Sequence, residues 1–437
     1  MTAATAGGKP RQSLRTVIGA SMIGTTIEWY DFFLYGSAAA LVFNKLFFPN
    51  TDPGTGTLLA FVTYAVGFVA RPIGGLVFGH FGDRIGRKRL LMISLLLMGA
   101  STVLMGFLPT YAQVGSLAPI LLVLLRIVQG FAVGGEWGGA VLLVAEHGSK
   151  ERRGFWTSWP QLGVAAGNLL ATAVLLIMAK VQPENEFLRW GWRLPFLLSA
   201  VLIGIGWWVR STVAESPIFS DLQAKAKVDR APALEVIRKR PKELLIGAGV
   251  RFAENLVFYV FTTFAISYIT GERHLSRQLA LNAVMLGSIM EVVAIPAFGA
   301  LSDRIGRKPV YAFGALFTTV IAFAFFPLIN TDQPAWIIAA IVVALIPHAA
   351  MYGVQASLLS ELFPTRMRYS GVSLASQLTS IFAGSLAPII AQAIMNKFHD
   401  PFWITIYVGA AGLLSFVSTL LAKETRGVSF DVVDAEP

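Results

Sequence analysis

The chain has 437 residues, of which 55% are hydrophobic and only 14% charged, and its mean hydropathy is +0.64. A soluble domain of this length needs far more surface charge, so the long apolar blocks point to lipid as the solvent. The absence of cysteine excludes disulfides and thiolate metal sites, and the net charge of +10 sits in short loops, a placement that orients a membrane protein rather than one that grips nucleic acid.

A polar, basic tail with Lys9, Arg11 and Arg15 comes first. The apolar stretch after it is longer than a signal-peptide core and holds Glu28 and Asp31, so it reads as a retained first helix. A crossing takes roughly 20 residues. That length places spans near 17–43, 57–79, 89–109, 117–145, 153–180, 190–211, 244–270, 278–301, 309–330, 334–360, 367–396 and 402–422. The expected fold is an all-α membrane protein of twelve transmembrane helices in two pseudo-symmetric six-helix bundles. The expected division is a tail at 1–16, a first bundle at 17–211, a linker at 212–243 broken by Pro217, Pro232 and Pro241, a second bundle at 244–423 and a tail at 424–437.

Alternate loops carry Arg84, Arg87, Lys88 and Arg89, then Lys150, Arg152 and Arg153, then the basic linker, then Arg304, Arg307 and Lys308, then Arg366 and Arg368. The opposite loops hold only scattered bases such as Lys45 and Arg189. The positive-inside rule therefore puts both termini and the linker in the cytoplasm, with the chain multi-pass in the inner membrane. Trp190, Trp192, Trp336 and Trp403 fall near outer helix ends, where indoles favour the interface.

The loop after span two, Gly79-His80-Phe81-Gly82-Asp83-Arg84-Ile85-Gly86-Arg87-Lys88, returns after span eight as Gly299-Ala300-Leu301-Ser302-Asp303-Arg304-Ile305-Gly306-Arg307-Lys308. A repeat at matching places in two halves is the signature of a carrier whose site lies between them. Glycine at 86 and 306 permits a tight turn. Glu146 is a candidate partner for Arg84 and Arg87 beside Asp83, and Glu361 for Arg304 and Arg307 beside Asp303, as latches on the cytoplasmic face. Positive charge that merely fixes topology is the competing account of the arginines.

The loop at 79–89 resembles the hallmark loop of the major facilitator superfamily, and Arg126-Ile-Val-Gln129-Gly130 resembles its second motif, with Ala132 where glycine is often found. Ile27-Glu28-Trp29-Tyr30-Asp31-Phe32, Arg71-Pro72-Ile73-Gly74-Gly75, Gly134-Gly135-Glu136-Trp137-Gly138-Gly139 and Trp190-Gly191-Trp192-Arg193 are similar to the metabolite:proton symporter family. That family includes carriers for shikimate, 2-oxoglutarate, citrate, and proline or betaine, and the first half is most similar to its shikimate carriers. The resemblance implies alternating-access, proton-coupled uptake of a small organic acid, shikimate-like or a mono- or dicarboxylate. A zwitterionic osmolyte such as proline or betaine is the alternative, and Glu215-Ser216-Pro217, similar to sugar porters, keeps a sugar or polyol open. The Gly-Pro-x-x-Gly-Gly motif of drug exchangers is absent at Trp159-Pro160-Gln161-Leu162-Gly163-Val164, which favours symport.

Ionisable groups inside a bilayer are costly and face partners or water paths. Glu28, Asp31, Arg71, Arg126, Glu136, Arg251, Glu254 and Glu291 lie within spans. Arg126 falls at the depth of Asp31 and Glu28, which makes these acids candidates for proton coupling, with Glu136 a third, and makes Arg126 an anchor for an anionic solute. Arg71 with Glu136 and Arg251 with Glu291 share a level and are expected as buried charge pairs. Tyr30, Tyr35, Gln129, Trp137, Gln161, Asn168, Arg251, Asn255, Tyr259, Tyr352 and Gln355 are candidate solute contacts. A lone histidine beside Pro347, His348 reads as packing.

No metal site or cofactor is expected beyond the proton as coupling ion, and the expected partners are the solute, the proton and membrane lipid, with a monomer as the working unit. His80, His147, His274, His348 and His399 share no motif, so an enzyme is not expected. No Gly-x-x-x-x-Gly-Lys-Ser/Thr loop is present to support ATP drive.

Overall fold

The computed structural model describes residues 14–85, 87–134, 144, 149–212 and 232–428, without the side chains at 14–17, 76, 78–91, 150, 210, 212, 232–234, 365, 366 and 369. Among the described residues there is no strand, and there are twelve long helices. In the first half these are α1 (Leu14–Ala38, extended through Ala39–Phe43 and Asn44–Leu46), α2 (Pro53–Ile85), α3 (Arg87–Gly106), α4 (Leu117–Val133), α5 (Arg153–Val181) and α6 (Arg193–Thr212). A short linker helix, Pro232–Lys239, precedes the second half. There follow α7 (Pro241–Tyr259, extended through Glu272), α8 (Arg277–Ile305), α9 (Arg307–Ile329), α10 (Pro334–Leu362), α11 (Thr365–Thr379, extended through Ser380–Ser385 and Leu386–Phe398) and α12 (Phe402–Leu421).

Local chemistry sets the boundaries. Proline occupies the first turn of α7 and α10, where its missing N–H costs nothing. The Ser276 hydroxyl accepts from Leu279 N at the start of α8. The chain passes from α8 to α9 at Gly306 with φ +108°, open to glycine and strained for other residues. Wider π-type turns interrupt both α1 (Ala39–Phe43) and α7 (Val260–Phe264), the leading helices of the two halves.

Helix packing repeats between halves. In the first, α1 packs on α5 and α6, α4 on α2 and α3, and α3 on α6. In the second, α7 packs on α11 and α12, α10 on α8 and α9, and α9 on α12. Adding six to each helix number converts one set into the other. The contacts across the seam obey the same operation, since α5 meets α8 as α11 meets α2. The chain is thus two pseudo-symmetric six-helix bundles, as the repeated loop implies.

Outward faces stay apolar. Val69, Phe107, Val181, Trp208, Val293, Val320 and Leu421 are exposed, the pattern of a lipid-facing wall. Trp190, Trp336 and Trp403 are exposed near helix ends, but Trp192 is fully buried against Phe43, Phe47 and Phe196. That indole is core, not an interfacial anchor. It stands at the break between the turn Phe187–Gly191, which carries the exposed Trp190, and the start of α6 at Arg193.

Candidate functional site in the seam between the halves

Two groups of buried charges face the seam, one from each half. In the first half Arg126 of α4 is completely buried. Its Nε and Nη2 donate to the Tyr64 carbonyl at 3.3 and 3.4 Å, and Nη1 donates to Gln129 Oε1. Gln129 Nε2 in turn donates to Thr102 Oγ1 at 2.8 Å, and Thr102 neighbours Asp31. Asp31 is also fully buried and accepts from Ser199 of α6 at 2.5 Å. The guanidinium centre of Arg126 lies 4.4 Å from the Phe32 ring centroid and 4.3 Å from that of Tyr35. Phe32 is shared, because the Arg71 guanidinium sits 4.3 Å from the same ring and 4.7 Å from Phe68. Gly67 of α2 makes the room: a Cβ there falls 2.5 Å from Arg126 Nε.

The expected acid pair facing Arg126 is therefore split. Asp31 turns toward α6 and is linked to Arg126 by hydrogen bonds through Thr102 and Gln129 as well as by its charge, whereas the charge of Glu28 acts on Arg71. Among the described residues no carboxylate comes within ion-pair distance of Arg126. Tyr35 donates to Thr63 and presents its ring to Arg126. Tyr30 donates to the Pro195 carbonyl at 2.6 Å, so its hydroxyl is spent on α6.

In the second half, Arg251 and Glu254 stand one turn apart on α7, with Nε and Oε2 separated by 3.9 Å. Turned so that oxygen meets donor, the Gln355 amide donates to Glu254 at 2.7 Å and accepts from Arg251 at 2.8 Å, while Asn255 accepts from Arg251 at 3.1 Å. His348 of α10 bridges two acids: Nε2 is 3.5 Å from Glu254, and Nδ1 meets Glu291 of α8. The expected Arg251–Glu291 pair is not formed. Arg251 finds its acid on its own helix, and Glu291 is taken by the histidine.

Against the second group lies a narrow cavity lined by Trp29, Phe33 and Val164 of the first half and Arg251, Glu254, Asn255, Phe258, Tyr259, His348 and Tyr352 of the second. Polar bonds cross the seam beside it: Asn168 donates to Ser288 at 3.0 Å and Gln161 to the Tyr352 carbonyl at 3.4 Å.

Both ends of the seam are tied. On the face where α12 ends, Arg153 of α5 meets Glu361 of α10 at 2.8 Å, and Arg307 meets Asp303 at 2.6 Å and Glu361 at 3.5 Å. The Asp303 carboxylate accepts from the Gly154 and Phe155 N–H groups, 2.9 Å each, capping α5 from the other half. Thr425 donates to Glu361 at 2.5 Å, and Glu424 accepts from the N–H groups of Arg307 and Lys308. Arg304 is exposed and stands apart from this network. On the opposite face Arg277 and Gln278 of α8 donate to the Gln182 and Ala179 carbonyls at 2.8 and 2.9 Å.

Gly79 lies within α2, but the side chains of Asp83, Arg84 and Arg87, and residues Gly86, Glu136, Trp137 and Glu146, lie outside the described residues. Arg153, Glu254 and His348 gain roles that the sequence reading withheld. The i,i+3 spacing of Arg251 and Glu254 was the available signal for one of them; the others depend on contacts more than fifty residues away.

The Major Facilitator Superfamily model matches residues 21–388 and 250–432. The chain is 42% identical over 417 residues to the shikimate transporter of Escherichia coli K12, covering 94% of this chain and 95% of that protein. It is 34% identical over 424 residues to the proline/betaine transporter of the same organism, covering 94% and 84%. Its fold matches the solved proton:xylose symporter XylE at a TM-score of 0.77 and 19% identity, over 97% of this chain and 98% of that one.

Proposed function

The chain belongs to the Major Facilitator Superfamily, a family of transporters rather than enzymes, and on that premise we propose that it takes up a small organic acid with protons by alternating access. One observation carries this reading: a fully buried arginine, Arg126, held over aromatic rings at the seam without a carboxylate beside it among the described residues. Such a group is a charge awaiting an anion. The likeness to a shikimate transporter directs the choice toward a hydroxylated ring acid or a similar carboxylate.

Asp31 is the proton carrier in this account. Charged, it draws on Arg126 through Thr102 and Gln129. Neutralised by a proton, it leaves the field of Arg126 for the solute's carboxylate, so the two loads enter together. Arg251, Asn255, Tyr259 and Tyr352 line the cavity for the rest of the solute, with Gln355 bonded to Arg251 behind them and Arg71 over Phe32 beside Arg126. The Asp303–Arg307–Glu361–Arg153 network holds the α12 face shut and parts when the carrier opens there. By the positive-inside rule that face is cytoplasmic, with both termini on it and the chain spanning the inner membrane. Each monomer holds a whole site.

Purified protein in liposomes tests the reading. Labelled shikimate or a related acid should accumulate when the lumen is alkaline and should cease to when the pH gradient is collapsed. Accumulation that survives collapse discards proton coupling. Accumulation of betaine or a sugar, with acids failing to compete, assigns the alternative solute class suggested by the proline/betaine relatives.

A further inference from the structure

A neutral imidazole has one N–H and one lone pair. His348 presents both ring nitrogens to carboxylates, Nδ1 to Glu291 and Nε2 to Glu254 at 3.5 Å. A lone pair aimed at a carboxylate is repelled, so this geometry is satisfied when the cluster holds one additional proton, shared between the ring and the acids. All three side chains are buried, and Glu291 Oε2 has no hydrogen-bond partner among the described residues. With that proton the four groups Arg251, His348, Glu254 and Glu291 balance two positive against two negative charges; without it, these four carry a net negative charge.

We propose that His348 with Glu254 and Glu291 is a second proton-loading site of the carrier, located in the second half, and that it controls whether Arg251 is available to the solute. The inference rests on the proton-coupled reading above. Glu254 is the shared element. It lies between His348 Nε2 and Arg251, and it lines the cavity together with both. Protonated His348 competes for Glu254 and loosens it from Arg251, which then accepts an anionic group of the solute. Deprotonated His348 releases Glu254 to Arg251 and closes that position. The proton passes from water to the imidazole and leaves the same way; no covalent bond changes.

Among the described residues, titratable or polar groups approach His348 from several neighbouring helices. From α7 these are Arg251, Glu254 and Tyr259, from α8 Glu291, and from α10 itself Tyr352, whose ring stacks on the imidazole at 5.2 Å between centroids. Tyr311 of α9 commits its hydroxyl to the Val250 carbonyl. From α5 the seam contact is the neutral Gln161 amide.

The test uses full-length protein in liposomes and labelled shikimate, or whichever solute the wild type accumulates. Each coupled proton is worth about tenfold in accumulation per unit of pH gradient. His348→Gln, whose neutral amide leaves Glu254 on Arg251, should raise the solute KM for exchange and lower the accumulation ratio by about tenfold at one unit of gradient. An unchanged ratio in His348→Gln overturns the proposal. Exchange serves as the check on folding. If the variant lacks it, Glu254→Gln decides: solute affinity should lose about one decade per pH unit of its pH dependence, and a wild-type pH profile overturns the proposal. Failure of the parent reading looks different, because there the wild type itself shows no gradient-driven accumulation.

Discussion

Arg153 opens α5 in the first half, Glu361 closes α10 in the second, and their charged groups meet at 2.8 Å with both side chains buried. Removing one partner of a buried pair costs roughly 3–5 kcal/mol because the other charge is stranded. Since the pair exists only while this face is shut, Glu361→Gln should shift the carrier toward opening there. The chain has no cysteine, so a single Ser158→Cys, placed in the tight α5–α8 contact near Gly299, reports access. Labelling by an impermeant maleimide from the α12 face should quicken by about tenfold or more, since about 1.4 kcal/mol of that cost already gives a factor of ten. Equal rates in the two backgrounds contradict the latch.

Gly306 joins α8 to α9 with φ +108°, and a Cβ there falls 2.7 Å from the Glu424 carboxylate that caps α9. Gly306→Ala combines backbone strain with a displaced cap, for a loss of about 1–3 kcal/mol. The melting temperature in detergent should fall; an unchanged value contradicts the strained-turn assignment.

Arg126→Lys keeps the charge but loses the planar donors that serve Tyr64 and Gln129 and the stacking on Phe32 and Tyr35. Solute KM should rise by about tenfold or more, while the melting temperature falls less than for Arg126→Ala. Gly67→Ala should raise KM in the same direction by crowding Arg126 Nε. Wild-type KM in both variants removes Arg126 from the site.

Asp332, in the turn between α9 and α10, and Arg273, just past the end of α7, form a solvent-accessible pair with bonds of 2.9 and 2.5 Å. The side-chain bond from Arg273 holds the Asp332 carboxyl below its ordinary range. A carboxyl lowered on folding stabilises above its unfolded value and loses that contribution as pH falls through its folded one. Thermal stability of the wild type should therefore decline on acidification below the ordinary carboxylate range, more than in Asp332→Asn. The pair is solvent-screened, so the difference is small. Parallel pH profiles contradict it.

Span count and the two-fold plan were legible because they are written in quantities that run along the chain: apolar length, loop charge and the repeat at Asp83 and Asp303. Depth is legible too, at ~1.5 Å per residue, which is how Arg126 and Asp31 came to share a level. Azimuth is not. Glu28 and Asp31 are three residues apart, yet one acts on Arg71 and the other bonds Ser199, because the flanking helices differ. Arg251 and Glu291 share a level without meeting, since His348 enters from α10. Trp192 shows the same limit: position near a helix end places an indole at the right height and leaves undecided whether lipid or Phe43 lies beside it.

Asp31→Asn in proteoliposomes tests the central claim most directly. With the lumen one pH unit more alkaline, accumulation of labelled acid should drop by about tenfold, while exchange of internal for external solute continues. Accumulation equal to the wild type, with exchange intact, contradicts a coupling proton on Asp31.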